Sequence, residues 1–367
     1  MDFTLPAYRE PDFSAPKLRD APVARFEPAP ANGVAPANYH ATSIFPEYIH
    51  LSPGNWVLPT HSRMDCVVVR EGEAVAVREF RNLRRGDAVA VGRGENGEDG
   101  IFVHTEGFGA AGEDAEKFSF RRSVSRETAF SVDYDELYAL LRHERDHGRI
   151  VWVLGPAVVF DFDARKAMVG LIRRGFVHAV LAGNALAVHD LEGSMFGSAL
   201  GQDIYFRRGR RLGHYNHLDV INAVRGIGSI EGAIAAGLVT DGVMHALHAR
   251  GVPYVLAGSI RDDGPLPETI AGAYEAQARM RAVTAEATTV IALATQLHAI
   301  ATGNLTPSYA VCNGRVRPVY FYCVDMSDFV TTKLANRGSL GARGVLTNVQ
   351  DFLVTVDRGL GRGGLEE

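Results

Sequence analysis

From Ile150 onward the chain alternates short, almost unbroken apolar runs with amphipathic stretches of helical period. Runs at 150–154, 177–182, 252–257, 288–293 and 319–324 predict strands. Stretches near 164–174, 217–224, 230–236, 241–249, 267–282 and 328–335 predict helices. Strands that are apolar on both faces and separated by helices predict an α/β fold with a doubly wound, mostly parallel sheet. Residues 62–125 follow a different period. MDCVVVREG, EAVAVREF, DAVAVGRG and DGIFVHTEGF alternate Val with polar residues between Gly, Asp and Asn turns, which predicts a small β-barrel or sandwich. Ser131–His147 predicts a helix, with Asp133 and Glu136 as a capping pair and Gly148 as its stop. Upstream, Pro-rich segments such as EPAPANGVAPAN (27–38) predict an extended arm packed on the body. The expected organisation is an arm over 1–61, a small β domain over 62–130, a connecting helix over 131–149, a large α/β domain over 150–360 and a flexible tail over 361–367.

Composition adds exclusions. Over 367 residues, 46% are hydrophobic and 22% charged, as in a soluble globular protein. A net charge of -5, without a run of Lys or Arg, argues against nucleic-acid and membrane-surface roles. No apolar run approaches the roughly 20 residues that span a bilayer. The N-terminal MDFTLPAYREPDF lacks the basic start and apolar core of a leader, so a cytoplasmic location is expected. Cys66, Cys312 and Cys323 form no C-x-x-C pair and imply neither a disulfide framework nor a cysteine zinc site.

The candidate chemistry gathers where strands end. VLAGSIRDDGPLPE (255–268) runs from an apolar strand into Gly258-Ser259, then Arg261, Asp262 and Asp263. LAGNALAVHDLE (181–192) has the same shape, with Gly183, Asn184 and Ala185 followed by His189, Asp190 and Glu192, and predicts a second polar loop. Gly155-Pro156-Ala157, Ala294-Thr295 leading to His298, and Asp325 leading to Lys333 complete the set. In α/β proteins ligands sit at the carboxyl ends of strands. Small residues there let a ligand approach the backbone, and so many strand ends of this kind suggest an extended ligand such as a dinucleotide. An ordinary β–α turn explains any one of them. A lysine in a desolvated pocket acts as a base or forms an imine, whereas a surface helix lysine is the plainer reading of Lys333. His298, in the apolar stretch IALATQLHAIA, is either a satisfied core histidine or a proton carrier. His214 and Asn216, in GHYNHLD, lie in a polar loop of the kind that lines sites.

Three motifs mislead. Gly92, Gly94 and Gly97 match G-x-G-x-x-G, but GIFVHTEGF after them is a strand, whereas a pyrophosphate needs a helix N-terminus there. Gly359, Gly361 and Gly364 match it in the C-terminal tail, with no strand-turn-helix around them. His143, Glu144 and His147 spell H-E-x-x-H, the zinc-protease pattern. Here they end a charged helix, where cationic groups suit the dipole, and a solvated helix end without metal is expected.

At LAGNALAVHDLE, GHYNHLDVIN, VLAGSIRDDGPLP, ATQLHAIATGN and VDMSDFVTTKLANRGS the chain resembles the archaeal-type ornithine cyclodeaminases. This family is named for a region once likened to lysine-ketoglutarate reductase/saccharopine dehydrogenase. VGRGENGEDGIFVHTEGF resembles the small β domain of the same family, so the likeness covers about 62–356. More distantly, the order of segments resembles deoxyhypusine synthase, an NAD enzyme without the usual glycine fingerprint. The resemblance implies an NAD-dependent conversion of L-ornithine to L-proline and ammonia with internal recycling of NADH. It implies proton transfer by Lys333 and His298, with Asp262 and Asp263 gripping the substrate ammonium groups. Asn184, His189 and Asp190 would orient substrate or nicotinamide, and Arg261, His214 and Asn216 would bind substrate. Gly155, Pro156, Ala157, Gly183, Asn184, Ala185, Gly258, Ser259, Thr295, Asp325 and Asn348 would line NAD. A homodimer or homotetramer is implied as well. The chain departs from the family pattern in having Asn336 before Arg-Gly-Ser and Asn348 in Thr-Asn-Val, where aspartates are usual. An amide supplies no carboxylate to grip two ribose hydroxyls. Other readings are a related NAD enzyme for another basic amino acid or polyamine, a nucleotide-binding regulator without turnover, and a zinc hydrolase built on His143 and His147.

Overall fold

A computed structural model describes residues 3–108, 134–262, 264–336 and 342–362. The α/β body holds a seven-stranded sheet. Its strands are β1 (Ile150–Leu154), β2 (Ala179–Gly183), β3 (Tyr254–Ala257), β4 (Thr269–Ile270), β5 (Thr289–Leu293), β6 (Tyr320–Asp325) and β7 (Ala342–Leu346). Every neighbouring pair is parallel, and the order is β4-β3-β2-β1-β5-β6-β7. The reason lies in the apolar runs. IVWVL and TVIAL are buried at all five positions, and each fully buried Val or Leu contributes roughly 1.5–3 kcal/mol. Such strands are stable only between two helical layers.

Side chains on alternate positions feed two cores. Ile150, Trp152 and Leu154 point into the larger one. It is closed by α1 (Tyr134–His147), α2 (Phe162–Arg173), α3 (Asn184–Phe196), α4 (Asn216–Ile227), α5 (Ile230–Ala235), α6 (Val243–Arg250) and α10 (Val349–Arg362). Val151 and Val153 point into the other, closed by α7 (Ala273–Thr284), α8 (Gln296–Leu305) and α9 (Phe329–Asn336). The chain winds outward from β1 through β2 and β3 with helices on one face. It returns to the centre at β5 and winds the opposite way with helices on the other. The winding therefore reverses between β1 and β5, and a crevice opens at their carboxyl ends.

Ahead of the body, a four-stranded sheet (Arg25–Pro28, Ala88–Val91, Val67–Glu71, Ala74–Arg78) faces a three-stranded one (Asn55–Val57, Glu47–Ser52, Ile101–Val103). Ile49, Leu51, Val68, Ala90 and Ile101 form their shared core, which makes a sandwich. Three of these strands lie within residues 1–61, where an extended arm was expected. Arg25–Pro28 is an edge strand, the position where a proline costs no ladder hydrogen bond. The sandwich is fastened to α7. Glu79 takes ion pairs from Arg63 and Arg281, and Arg281 also donates to Val77 O at 3.0 Å. Burial opposes ionisation of Glu79, yet bonds from Arg281 and Asn82 hold its carboxyl at about 2.

The five expected strands fall within two residues of expectation, but the edge strands β4 and β7 and the helices α8 and α10 had no counterpart in the sequence reading. A third helix, α3, occupies the place of the expected polar loop after β2. At 267–282 the first turn expected as helix is β4 and its loop, and α7 starts at Ala273. The cap Asp133 lies outside the described residues, as do 109–132 and the final 363–367.

Candidate active site

The crevice is shaped by two backbone features. Gly155 N donates to Leu293 O at 2.8 Å, joining the end of β1 to the end of β5. A Cβ on Gly155 would lie 2.0 Å from Ala294 O, and Ala294 itself sits at φ 46. A non-glycine residue in that region costs about 1–3 kcal/mol and survives only where its surroundings enforce it. Gly155→Ala is therefore expected to push the β1 and β5 ends apart. Overpacking of this kind costs typically about 1–3 kcal/mol, seen as a lower melting temperature and weaker nucleotide binding in a fluorescence titration.

His298 closes the crevice floor. A Cβ on Gly183 would lie 2.9 Å from His298 Cε1, so the imidazole rests on the glycine at the end of β2. Thr295 Oγ1 is 3.5 Å from His298 Nδ1. Burial holds the His298 pKa below its ordinary value, and the charge of Asp262 opposes that less strongly. Residues from the ends of β2, β3 and β5 thus meet around one neutral imidazole. The Asp262 loop is closed on itself: Ser259 N donates to Asp262 Oδ2 at 2.8 Å and Asp262 N to Ser259 O at 3.0 Å. Gly258 is required there because a Cβ would lie 2.8 Å from Ile270 O. Arg261 is exposed. Asp263 lies outside the described residues.

Two helices begin at this crevice with open N-termini. α3 follows Gly183 and α8 follows Thr295, and neither has a side-chain cap or an acidic residue in its first turn. At four other helices side chains take up the donors: Asp161 caps α2, Ser229 caps α5, Asp190 caps α6 and Asn348 caps α10. α4 and α7 have no side-chain cap either, but carry Asp219 and Glu275 in their first turns. Open N-termini present N–H groups and a positive dipole end to an anion.

The other expected site residues are distributed as follows. Pro156 and Ala157 form a 3-10 turn after β1, and Ala157 O accepts from Gln350 Nε2 at 3.2 Å. Asn184 Oδ1 accepts from Leu266 N at 3.0 Å and Thr269 Oγ1 at 3.1 Å, so this side chain holds the loop after β3. Ala185 is exposed on the first turn of α3. Asp325 ends β6 and accepts from Ser327 N at 3.1 Å. Asn348 Oδ1 accepts from Gln350 N at 2.8 Å. An amide and a carboxylate both perform that capping, which explains how asparagine is accommodated at this position. The side chain of Asn336 lies outside what is described.

Three expectations are corrected. Lys333 is not in a desolvated pocket: it is exposed on α9, its Nζ 5.6 Å from the Phe329 ring centroid. Asp190 does not face a ligand. It is fully buried on α3, paired with Arg165 Nε at 2.7 Å and accepting from Val243 N at 2.9 Å and Met244 N at 2.8 Å. The H-E-x-x-H segment is exposed at Arg145, Asp146 and His147, as expected of a solvated helix end, but its glutamate is not. Glu144 is fully buried, bonded to Arg317 Nη2 at 2.5 Å, to His143 Nδ1 at 3.0 Å and to Thr288. Among the described residues no group of three His, Cys, Asp or Glu has the geometry of a metal site.

His189 belongs to a second cluster, centred on a residue the sequence reading left out of the site. Glu192 is fully buried. It accepts from His189 Nδ1 at 2.9 Å, Ser198 Oγ at 2.7 Å, Leu200 N at 3.1 Å and Gly201 N at 3.0 Å. Burial opposes its ionisation, but the bonds from His189, Ser198 and Gly201 hold its carboxyl below the usual range. The His189 ring packs beside Phe160 with ring centroids 5.4 Å apart. Asn216 Nδ2 joins the network through Ser198 Oγ at 2.7 Å, while His214 is exposed against Tyr215. The i,i+3 spacing of His189 and Glu192 on one helix was the available signal.

Comparison with known proteins agrees with this geometry. Residues 136–356 match the model of the arginine dihydrolase ArgZ-like C-terminal Rossmann-fold domain. The ornithine cyclodeaminase of Methanopyrus kandleri is 39% identical over 341 residues, covering 90% of this chain and 76% of that protein. The bifunctional arginine dihydrolase/ornithine cyclodeaminase ArgZ of Synechocystis sp. is 37% identical over 89% of this chain, which spans only 45% of that protein. Among solved structures, a conserved LOR/SDH protein from Methanococcus maripaludis S2 superposes with a TM-score of 0.84 at 32% identity, covering 94% of this chain and 99% of that one. The ternary complex of AgrE with ornithine and NAD+ superposes with a TM-score of 0.58 at 32% identity, covering 95% of this chain and 47% of that one. No helix among the described residues is long and apolar enough to cross a membrane. The reversal of winding between β1 and β5, the imidazole seated on Gly183 and the extent of these matches lead to one conclusion: the chain belongs to the archaeal-type ornithine cyclodeaminase family of enzymes.

Proposed function

We propose that the protein is an NAD-dependent ornithine cyclodeaminase, acting as a homo-oligomer and converting L-ornithine to L-proline and ammonia. The observation that carries this reading is the neutral His298 lying on Gly183 between two open helix N-termini. The site fits a dinucleotide. The N-termini of α3 and α8 offer unpaired N–H groups to a pyrophosphate, and Gly155 and Gly183 leave no room for a side chain where the backbone must be approached. Gly155, Gly183, Ala185 and Thr295 would hold it. NAD, when bound, supplies a hydride acceptor that later returns the hydride, so the reaction has no net redox change.

The chain's own residues handle protons and position. Ring closure forms the Nδ–Cα bond and breaks the Cα–Nα bond, and ammonia departs. The δ-amine attacks only as the free base. Neutral His298 is suited to take its proton and to deliver one to the departing α-nitrogen. Asp262 faces His298 and favours the transient imidazolium. Asn184 keeps the Asp262 loop in place through Leu266 and Thr269. The experiment is a reaction of purified protein, NAD and L-ornithine labelled with 15N at the δ position, followed by mass spectrometry. Labelled proline, unlabelled ammonia and no accumulating NADH are expected. Absence of proline with bound nucleotide would overturn the substrate assignment.

A further inference from the structure

Between Ser198 and α4 the chain makes an excursion that is unlike the rest of the surface. Leu200, Tyr205, Phe206, Leu212, Tyr215 and Leu218 are 48–76% exposed, all within one 19-residue stretch. This is not a loose loop. Gly201 and Gly213 close its base so tightly that a Cβ on Gly213 would lie 2.3 Å from Gly201 O. Asp203 Oδ1 accepts from Tyr205 N at 2.9 Å and Phe206 N at 3.0 Å, and Arg210 pairs with Asp203 at 2.7 Å. Tyr205 packs on Phe162 with ring centroids 4.3 Å apart. Leu200, Arg207 and Leu212 are held at positive φ. A rigid apolar ridge in water is unfavourable unless something covers it, and its order is already in place for binding.

We propose that this ridge is the face through which two copies of the chain associate. The charges around it favour a second copy over a partner of one sign. Arg208 and Arg211 on the ridge, and Asp163 and Asp219 on the flanking first turns of α2 and α4, are exposed and make no ion pair among the described residues. A surface carrying unpaired groups of both signs is self-complementary. In the proposed dimer a two-fold axis through it would set the arginines of one copy against the aspartates of the other. The ridge is also tied to the second cluster, because Glu192 accepts from Leu200 N and Gly201 N while it holds His189. Association would therefore stabilise the setting of His189.

The assignment of this face rests on self-association, and one experiment separates the two. Sedimentation velocity of the full chain is expected to give a dimer or a multiple of it. Phe206→Asp, at a position 76% exposed and so harmless to folding, is expected to weaken association at least roughly 30-fold without changing the melting curve of the monomer. Arg211→Glu and Asp219→Arg are each expected to weaken it, and their combination to restore it. A monomeric wild type would overturn self-association. An oligomer that survives both Phe206→Asp and Arg211→Glu would overturn this face alone. A combination weaker than either single variant would overturn the two-fold pairing.

Discussion

His298→Ala is expected to lower kcat for ornithine by about 10²–10⁴-fold, with nucleotide affinity little changed. The ring touches the strand ends on both sides of the crevice, through Gly183 on β2 and Thr295 before α8. Its pKa is held below 6.5 by burial. The sign follows: desolvation penalises the imidazolium, so the neutral base persists to lower pH than an exposed histidine would allow. The acid limb of kcat/KM against pH should therefore lie lower than an exposed histidine would place it. Asp262→Asn removes the charge that favours the imidazolium and should move that acid limb lower still. A packing role alone would lower stability and leave the pH profile unmoved. Loss of the acid limb in His298→Ala, with a melting temperature close to that of the parent, would separate the two. A fall in kcat of less than tenfold would end the assignment.

Five of the seven strands of the body were legible because burial on both faces leaves them mostly apolar; the edge strands β4 and β7, which include Thr269 and Arg343, were not. Val151, Val153, Val290 and Ala292 read as sheet wherever they lie in the chain. Their spatial order was not legible, since nothing in a strand says on which face the next helix returns, and the crevice depends on that reversal. The helix α3 was hidden for a related reason. Asn184, His189, Asp190 and Glu192 resemble a loop only while their partners are unknown. Those partners are Arg165, Ser198, Val243 and Leu266, from 6 to 82 residues away in sequence. His298 could be singled out by type, but its choice between core and site turns on Gly183, which is 115 positions earlier in the chain (298 minus 183). Lys333 erred the other way. Its apolar neighbours Leu334 and Val330 face the core of α9, and a helix that buries one side exposes the other.

Asp190→Ala is expected to cost about 3–5 kcal/mol of stability, more than any change at the crevice itself. The carboxylate has two tasks, and both are buried. It pairs with Arg165, whose side chain is 5% exposed, and it accepts the first free N–H groups of α6 from Val243 and Met244. Gly242 precedes them at φ 100, packed so closely that a Cβ would lie 2.1 Å from Arg165 Nη2. Removing the carboxylate leaves a buried guanidinium with the exposed Asp241 and the Asp190 backbone carbonyl as its partners and two helix donors without an acceptor. Asp190→Asn keeps an acceptor for α6 and loses the charge, so it should fall between the parent and the alanine variant. The measurement is thermal unfolding followed by circular dichroism, paired with kinetics below the melting transition. If Asp190 served substrate, the asparagine variant would melt like the parent and lose kcat. The geometry predicts the reverse: a lowered melting temperature, and a folded fraction that still turns over ornithine at close to the parental rate.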